Sequence, residues 1–92
     1  MSTVHDQAIS ERLRGIVASV LEIDEDAVPP AALFYEDLAA DSLEKVEIAA
    51  RVERAFGVRL SAGDAVQLRS VNDAVALLRR KGVATGPAEG GR

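Results

Sequence analysis

Several residue types are absent or scarce in this 92-residue sequence, and each absence excludes a class of protein. There is no cysteine, which excludes disulfides, thiolate metal ligands and a cysteine nucleophile. Tryptophan is also absent and aromatic residues make up only 3% of the chain, so we expect an aliphatic core. No apolar run approaches the roughly 20 residues of a membrane span, and the N-terminus lacks the basic and apolar segments of a secretion signal. We therefore expect one small cytoplasmic domain without a membrane span.

Catalytic groups are equally scarce. His5 is the only histidine, and it lies at the N-terminus without a visible partner. The chain also has no Gly-rich phosphate-binding loop. Because nothing pairs a nucleophile with a base or assembles a metal site, we predict that the chain is not an enzyme and binds no metal.

The charges that are present are unevenly distributed. Residues 22–47 contain nine acidic residues and one base, Lys45, for a segment charge of −8 in a chain of net charge −4. Such an acidic segment argues against nucleic acid as a partner, because phosphate binding requires the opposite sign. It suits electrostatic steering toward basic patches on partner proteins. A solvated acidic loop without a partner is the alternative interpretation.

The periodicity of the apolar residues predicts three principal helices and one short helix. The predicted helices span, in order, about residues 6–21, 42–56, 64–67 and 70–81. Residues 1–5 are expected to be frayed. Together these elements predict an all-α domain over residues 1–82, a small antiparallel bundle, followed by a disordered tail over residues 83–92.

The segment between the first two principal helices, residues 24–40, is expected to be a long loop, because Pro29-Pro30 forbids a continuing helix. The apolar residues expected to pin it to the core are Leu33, Phe34 and Leu38. The second principal helix is apolar around much of its circumference, which predicts contact with several other helices. Its polar face carries Glu44, Glu47, Arg51 and Arg54.

One hydroxyl, that of Ser42, lies between carboxylates where this loop meets the second helix. Asp41 can act as the N-cap, and Glu44 three residues later completes a capping-box pattern. Ser42 then falls in the first turn, where unpaired N–H groups and the macrodipole tolerate a phosphate. The local pattern by itself leaves open whether Ser42 is modified or is an ordinary first-turn serine.

The longer sequence around Ser42 is a more specific signal than the capping pattern alone. Residues 34–44 read FYEDLAADSLE, and residues 53–58 read ERAFGV. From about residue 9 to residue 78 the chain resembles the acyl carrier protein family, whose central signature is Leu-Gly-Ala-Asp-Ser-Leu-Asp followed by a helix ending near Glu-Phe-Gly. The resemblance implies that Ser42 carries 4′-phosphopantetheine, whose thiol holds an acyl group as a thioester. Two departures are visible, Ala39 in place of Gly and Glu44 in place of Asp.

The resemblance also implies a set of partners. A phosphopantetheinyl transferase would load the arm from coenzyme A. An acyltransferase, ketosynthase or related enzyme of fatty-acid or polyketide synthesis, with a basic docking patch, would then act on the thioester. The residues expected to contact partners are Asp37, Asp41, Leu43, Glu44 and Glu47. The same likeness implies a monomer whose apolar helix faces line a cleft for the acyl chain.

Two other functions remain open at this point. The nearest is a carrier of aminoacyl or peptidyl groups on the same fold. The other, of a different class, is a helical interaction module that carries no arm.

Overall fold

The structure, a computed structural model, describes the backbone of residues 2–83 and the side chains of residues 7–83. This part of the chain forms four α-helices, a short 3-10 helix at Glu25–Ala27 and no strand. The α-helices are α1 (Ser2–Leu21), α2 (Ser42–Phe56), α3 (Ala62–Gln67) and α4 (Val71–Arg80). The predicted all-α bundle of three principal helices and one short helix is confirmed. No helix within residues 2–83 is long and apolar enough to cross a membrane.

The prediction of a frayed start is wrong for residues 2–5, because α1 begins at Ser2. The predicted start followed the first core contact, Ile9, but packing periodicity marks where a helix is buried rather than where it begins. Residues 2–8 contain no Gly or Pro to stop the helix from extending past its packed region.

The core forms where α1 packs against α2 and α4. Arg12 donates to the carbonyl of Ala55, and Arg51 donates to the hydroxyl of Ser19, so α1 and α2 run antiparallel. The core is mainly aliphatic, as predicted, with one fully buried aromatic ring. Its largest fully buried side chains are Phe34, Leu13, Ile48, Leu68, Leu77 and Leu78.

The long loop between α1 and α2 is fixed by backbone hydrogen bonds as well as by apolar contacts. The N–H of Phe34 donates to the carbonyl of Arg69, and the N–H of Asn72 donates to the carbonyl of Pro30. Phe34 is buried as predicted, and Leu38 packs against the core. Leu33 is only half-buried, whereas Val28, which was not predicted to anchor the loop, is completely buried.

Polar contacts cap and join the last two helices. Ser70 caps α4 by accepting from the N–H of Asp73, but the Asp73 carboxylate pairs with Arg69 and so completes no capping box. At the basic end of α4, Lys81 pairs with Asp64 at 2.7 Å, and Arg80 donates to Gln67 at 2.8 Å, which ties α3 to the end of α4.

The end of α4 is closed by Gly82 in the left-handed conformation (φ 84°). The N–H of Val83 donates to the carbonyl of Leu78, and the Val83 side chain packs against the core. The remainder of the predicted tail, residues 84–92, lies outside the described residues.

Candidate functional site

Ser42 is the first residue of α2, and its side chain is exposed. Both halves of the predicted capping box are present. The N–H of Glu44 donates to the Asp41 carboxylate at 2.8 Å, and the N–H of Asp41 donates to the Glu44 carboxylate at 3.0 Å. Because Asp41 caps the helix, the Ser42 hydroxyl is not needed for that role, and it has no hydrogen-bond partner within residues 7–83. The hydroxyl is therefore free and reachable from solvent.

The chain reaches Ser42 through a tight backbone turn. Ala39, which stands where the acyl carrier signature has glycine, adopts the left-handed conformation with φ 58°. This conformation disfavours residues with a Cβ atom. The N–H of the next residue, Ala40, donates to the carbonyl of Phe34, and the Ala40 side chain is buried. The turn thus tolerates alanine and still places Asp41 at the capping position.

The five residues predicted to contact partners all lie in the loop before α2 or in its first half, but they are not equally available. Leu43 is 79% exposed, next to Ser42. The Asp37 carboxylate is exposed and accepts from the N–H of Leu33. Asp41 and Glu44 are engaged in the capping box. Glu47 is half-buried and binds Arg51 at 2.8 Å, and this hydrogen bond lowers the pKa of the Glu47 carboxyl.

A cleft of about 550 Å³ lies beside α2. Val46, Ala49 and Ala50 of α2 line one side, and Ala65 and Val66 of α3 contribute to the lining as well. The prediction that the apolar arc of α2 contacts several helices is therefore wrong in part. Ile48 and Val52 enter the core, but Val46 stays 64% exposed because its side of α2 faces the cleft.

Lys45, which sequence reasoning counted only as one base in an acidic segment, is buried at 9% exposure and lines the cleft. Its ammonium nitrogen lies 5.1 Å from the centroid of the Tyr35 ring. Burial, and next the nearby Arg69 charge, lower the pKa of Lys45. The signal that could have revealed it is its spacing. Lys45 shares one helix face with Ile48, Ala49 and Val52, at i+3, i+4 and i+7.

Comparison with known proteins agrees with this arrangement. Residues 11–78 match the family described as the phosphopantetheine attachment site. The chain is 36% identical over 74 residues to an acyl carrier protein of Solidesulfovibrio magneticus, covering 80% of this chain and 95% of that protein. It is 37% identical over 78 residues to an acyl carrier protein of Thermosynechococcus vestitus, covering 85% and 96% respectively. With its small helical bundle and free serine hydroxyl, the chain belongs to the phosphopantetheine-dependent acyl carrier proteins, which tether acyl intermediates and are not themselves catalysts.

Proposed function

We propose that Ser42 is the residue that carries 4′-phosphopantetheine, and that the cleft beside α2 receives the acyl chain. The observation that carries the proposal is a difference between the helix-start serines whose side chains the structure describes. The hydroxyls of Ser61 and Ser70 each accept a backbone N–H as helix caps. The Ser42 hydroxyl is exposed and has no such role, because Asp41 caps α2 in its place.

The residues around Ser42 fit the group. A phosphodiester at the first turn of α2 would meet the positive end of the helix dipole. When bound, the arm supplies a thiol that holds the acyl group as a thioester. The chain's own contribution is to fix the position of the hydroxyl through the Asp41–Glu44 capping box and to offer an apolar cleft on the same helix. A chain that enters the cleft is removed from water, which favours apolar cargo by roughly 25 cal/mol per Å² buried.

A mass measurement tests the attachment site. The purified protein is incubated with coenzyme A, magnesium and a promiscuous phosphopantetheinyl transferase, and then analysed by intact-protein mass spectrometry. We expect the gain of one phosphopantetheine group by the wild type and no gain by Ser42→Ala. Because Asp41 still caps α2 in that variant, circular dichroism should show an unchanged helix content.

Ser61→Ala is the matched control, since it removes a serine hydroxyl at another helix start and should still gain the group. No gain by the wild type, with a known carrier protein modified in parallel, would favour an unmodified interaction module. A gain that survives Ser42→Ala would mean that another residue carries the arm.

We further propose that the transferase and the enzymes of a fatty-acid or polyketide pathway dock on the start of α2. Leu43 is the expected apolar anchor, because it is the most exposed large apolar side chain in the described chain and adjoins Ser42. Asp37, Asp41, Glu44 and Glu47 would supply charge complementary to basic patches on these enzymes. Arg51 and Arg54 reduce the negative charge of the second half of α2, which points to docking centred on its first half.

Charge reversal tests this surface. Glu47→Lys should slow the encounter with the transferase, and the difference from wild type should shrink as salt screens the charges. Glu11→Lys makes the same change in net charge on exposed α1 and should have a smaller effect. Leu43→Ala should weaken binding with little salt dependence. Equal association rates for Glu47→Lys and wild type at low salt would show that the acidic residues of this surface do not steer the transferase.

A further inference from the structure

The Lys45 side chain is largely buried, and its ammonium group, on the lining of the cleft, has no role in the fold described so far. Lys45 lies one helical turn after Ser42, and 91% of its surface is buried, because its exposed fraction is 9%. Its ammonium nitrogen lies over the Tyr35 ring, 5.1 Å from the ring centroid. Throughout residues 7–83, no carboxylate lies within ion-pair distance of this nitrogen and no oxygen accepts a hydrogen bond from it.

Such an arrangement is unusual in a folded protein. Buried ammonium groups are normally paired, because a charge removed from water without an acceptor is strongly destabilising. An apolar residue would be expected at this position, since Lys45 shares its helix face with buried Ile48 and Val52. The aromatic ring of Tyr35 stabilises a cation from one side, but the phenolic oxygen of Tyr35 accepts no hydrogen bond from Lys45.

The other charged residues that line the cleft do not provide the acceptor. Arg69 is a second cation, and its guanidinium binds Asp73 at 3.3 Å. The Glu53 carboxylate accepts from the N–H of Leu60 at 2.7 Å and so is held toward the backbone. Glu36 is exposed and lies beyond ion-pair distance of Lys45. Burial and the Arg69 charge both lower the pKa of Lys45, as expected of an ammonium group that lacks a counter-ion.

We propose that Lys45 binds the cargo, and that the acyl chain carried by this protein bears a carbonyl or carboxylate oxygen that accepts a hydrogen bond from the Lys45 ammonium group inside the cleft. The inference rests on the proposed function, because the cargo reaches the cleft from the arm on Ser42. A wholly hydrocarbon chain would complete the burial of Lys45 and leave it without an acceptor. An oxygen-bearing chain would satisfy the ammonium group and keep its hydrocarbon part against Val46, Ala49 and Val66.

The experiment compares four forms of the protein, made with the phosphopantetheine arm alone or with octanoyl, 3-oxooctanoyl or octanedioyl groups on it. Intact-protein mass spectrometry first confirms each loading. The melting temperature and the pKa of Lys45 are then measured, the pKa from the ¹³Cε resonance during a pH titration. Lys45 and Lys81 are the two lysines of the chain, so Lys45→Met assigns the signals. Arg54→Met is the matched control, because it removes a positive charge from α2 outside the cleft lining.

In the wild type, we expect the octanoyl group to lower the pKa of Lys45 relative to the arm alone, and the octanedioyl carboxylate to raise it, with 3-oxooctanoyl between the two. The octanedioyl form should melt on the order of 5 °C above the octanoyl form, as a hydrogen bond to a charged group predicts in a domain of this size. Lys45→Met should reverse the order of the two melting temperatures, because an apolar cleft rejects a carboxylate. Arg54→Met should preserve the wild-type order.

The outcomes distinguish a failure of cargo binding by Lys45 from a failure of arm attachment at Ser42. An octanoyl form that melts at or above the octanedioyl form in the wild type would overturn the role of Lys45 while leaving Ser42 as the attachment site. A pKa of Lys45 that is higher with the arm alone than in the unmodified protein, titrated in parallel, would mean that the arm's own oxygens supply the acceptor, which also overturns it. A chain that gains no mass in any form overturns the proposed function, and this inference with it.

Discussion

The two helices that line the cleft are held in the protein in different ways. Helix α2 inserts Ile48 and Val52 into the core, each 1% exposed, and both of its ends are capped. Helix α3 has no buried residue. It is tied by polar side chains to the end of α4, where Asp64 binds Lys81 and Gln67 binds Arg80. The helix that presents Ser42 is therefore fixed by its own core side chains, whereas α3 is joined to the core through its C-cap residue Leu68 and is the less firmly held of the two.

The largest expected effect comes from truncating one apolar side chain on each helix. Ile48→Ala removes a fully buried side chain of α2 and should lower the free energy of unfolding by about 2–5 kcal/mol. Val66→Ala removes a side chain of α3 that is 71% exposed, and should change it by less than about 0.5 kcal/mol. Urea denaturation of both variants measures the difference. Comparable losses in the two variants would show that α3 is as firmly packed as α2.

Local signals in the sequence were sufficient to predict α2, for a physical reason. Its start is set by Asp41 and Glu44, and its end by Gly57 with φ 65°. Each of these acts through backbone groups within a few residues, so no knowledge of the tertiary structure is needed. The capping box of α3, Ser61 with Asp64, is the same kind of signal and explains why α3 begins at Ala62, two residues before the predicted turn.

What the sequence did not reveal depends on contacts between distant segments. Nothing near Lys81 indicates that it binds Asp64, because the pair forms only when α3 and α4 are adjacent. The burial of Lys45 was not predicted for a different reason. A lysine in an acidic segment is normally solvated, and its burial follows from the side of α2 that packs against the loop at Tyr35. The identity of Ser42 as the attachment residue stays a prediction.

The backbone conformation of the residues that lead into α2 and α3 also differs. Glycine substitutions measure how much strain each conformation carries. Ala39, before α2, has φ 58°, whereas the chain enters α3 through Ser61 at φ −75°. Ala39→Gly should relieve a left-handed alanine, offset in part by the greater entropy of the unfolded chain, for a net gain of up to about 1 kcal/mol. Ala62→Gly makes the same change at the start of α3 and should destabilise.

Thermal unfolding of the two glycine variants provides the measurement. A gain of about 1 kcal/mol corresponds to a rise of roughly 4–8 °C in melting temperature for a domain of this size. If Ala39→Gly melts below the wild type, the turn before Ser42 is not strained in the way that its dihedral angle indicates.

Removing the ion pair between Asp64 and Lys81, which holds α3, should have the smallest effect on global stability. It is also the most direct test of the difference between α2 and α3. The hydrogen bond from Lys81, more than that from the backbone of Ser61, lowers the pKa of Asp64 to about 2. Because this pKa is lower in the folded than in the unfolded protein, the interaction stabilises the fold above about pH 4, and the stabilisation is lost as pH falls toward 2. Asp64→Asn keeps an oxygen that can accept from the N–H of Ser61, so it removes the charge while preserving the cap.

We expect Asp64→Asn to speed backbone hydrogen exchange in α3 at pH 7, to leave exchange in α2 unchanged, and to lower the melting temperature slightly. The difference from wild type should shrink as the pH is lowered from 4 toward 2, because Asp64 of the wild type also becomes protonated as the pH approaches its pKa. Asp26→Asn, in the 3-10 helix, is the control for the loss of one exposed carboxylate. Unchanged exchange in α3 would show that the contact between Asp64 and Lys81 does not hold this helix in place. Faster exchange in both α2 and α3 would show that loosening α3 also loosens the helix that presents Ser42. The two helices would then not be held independently.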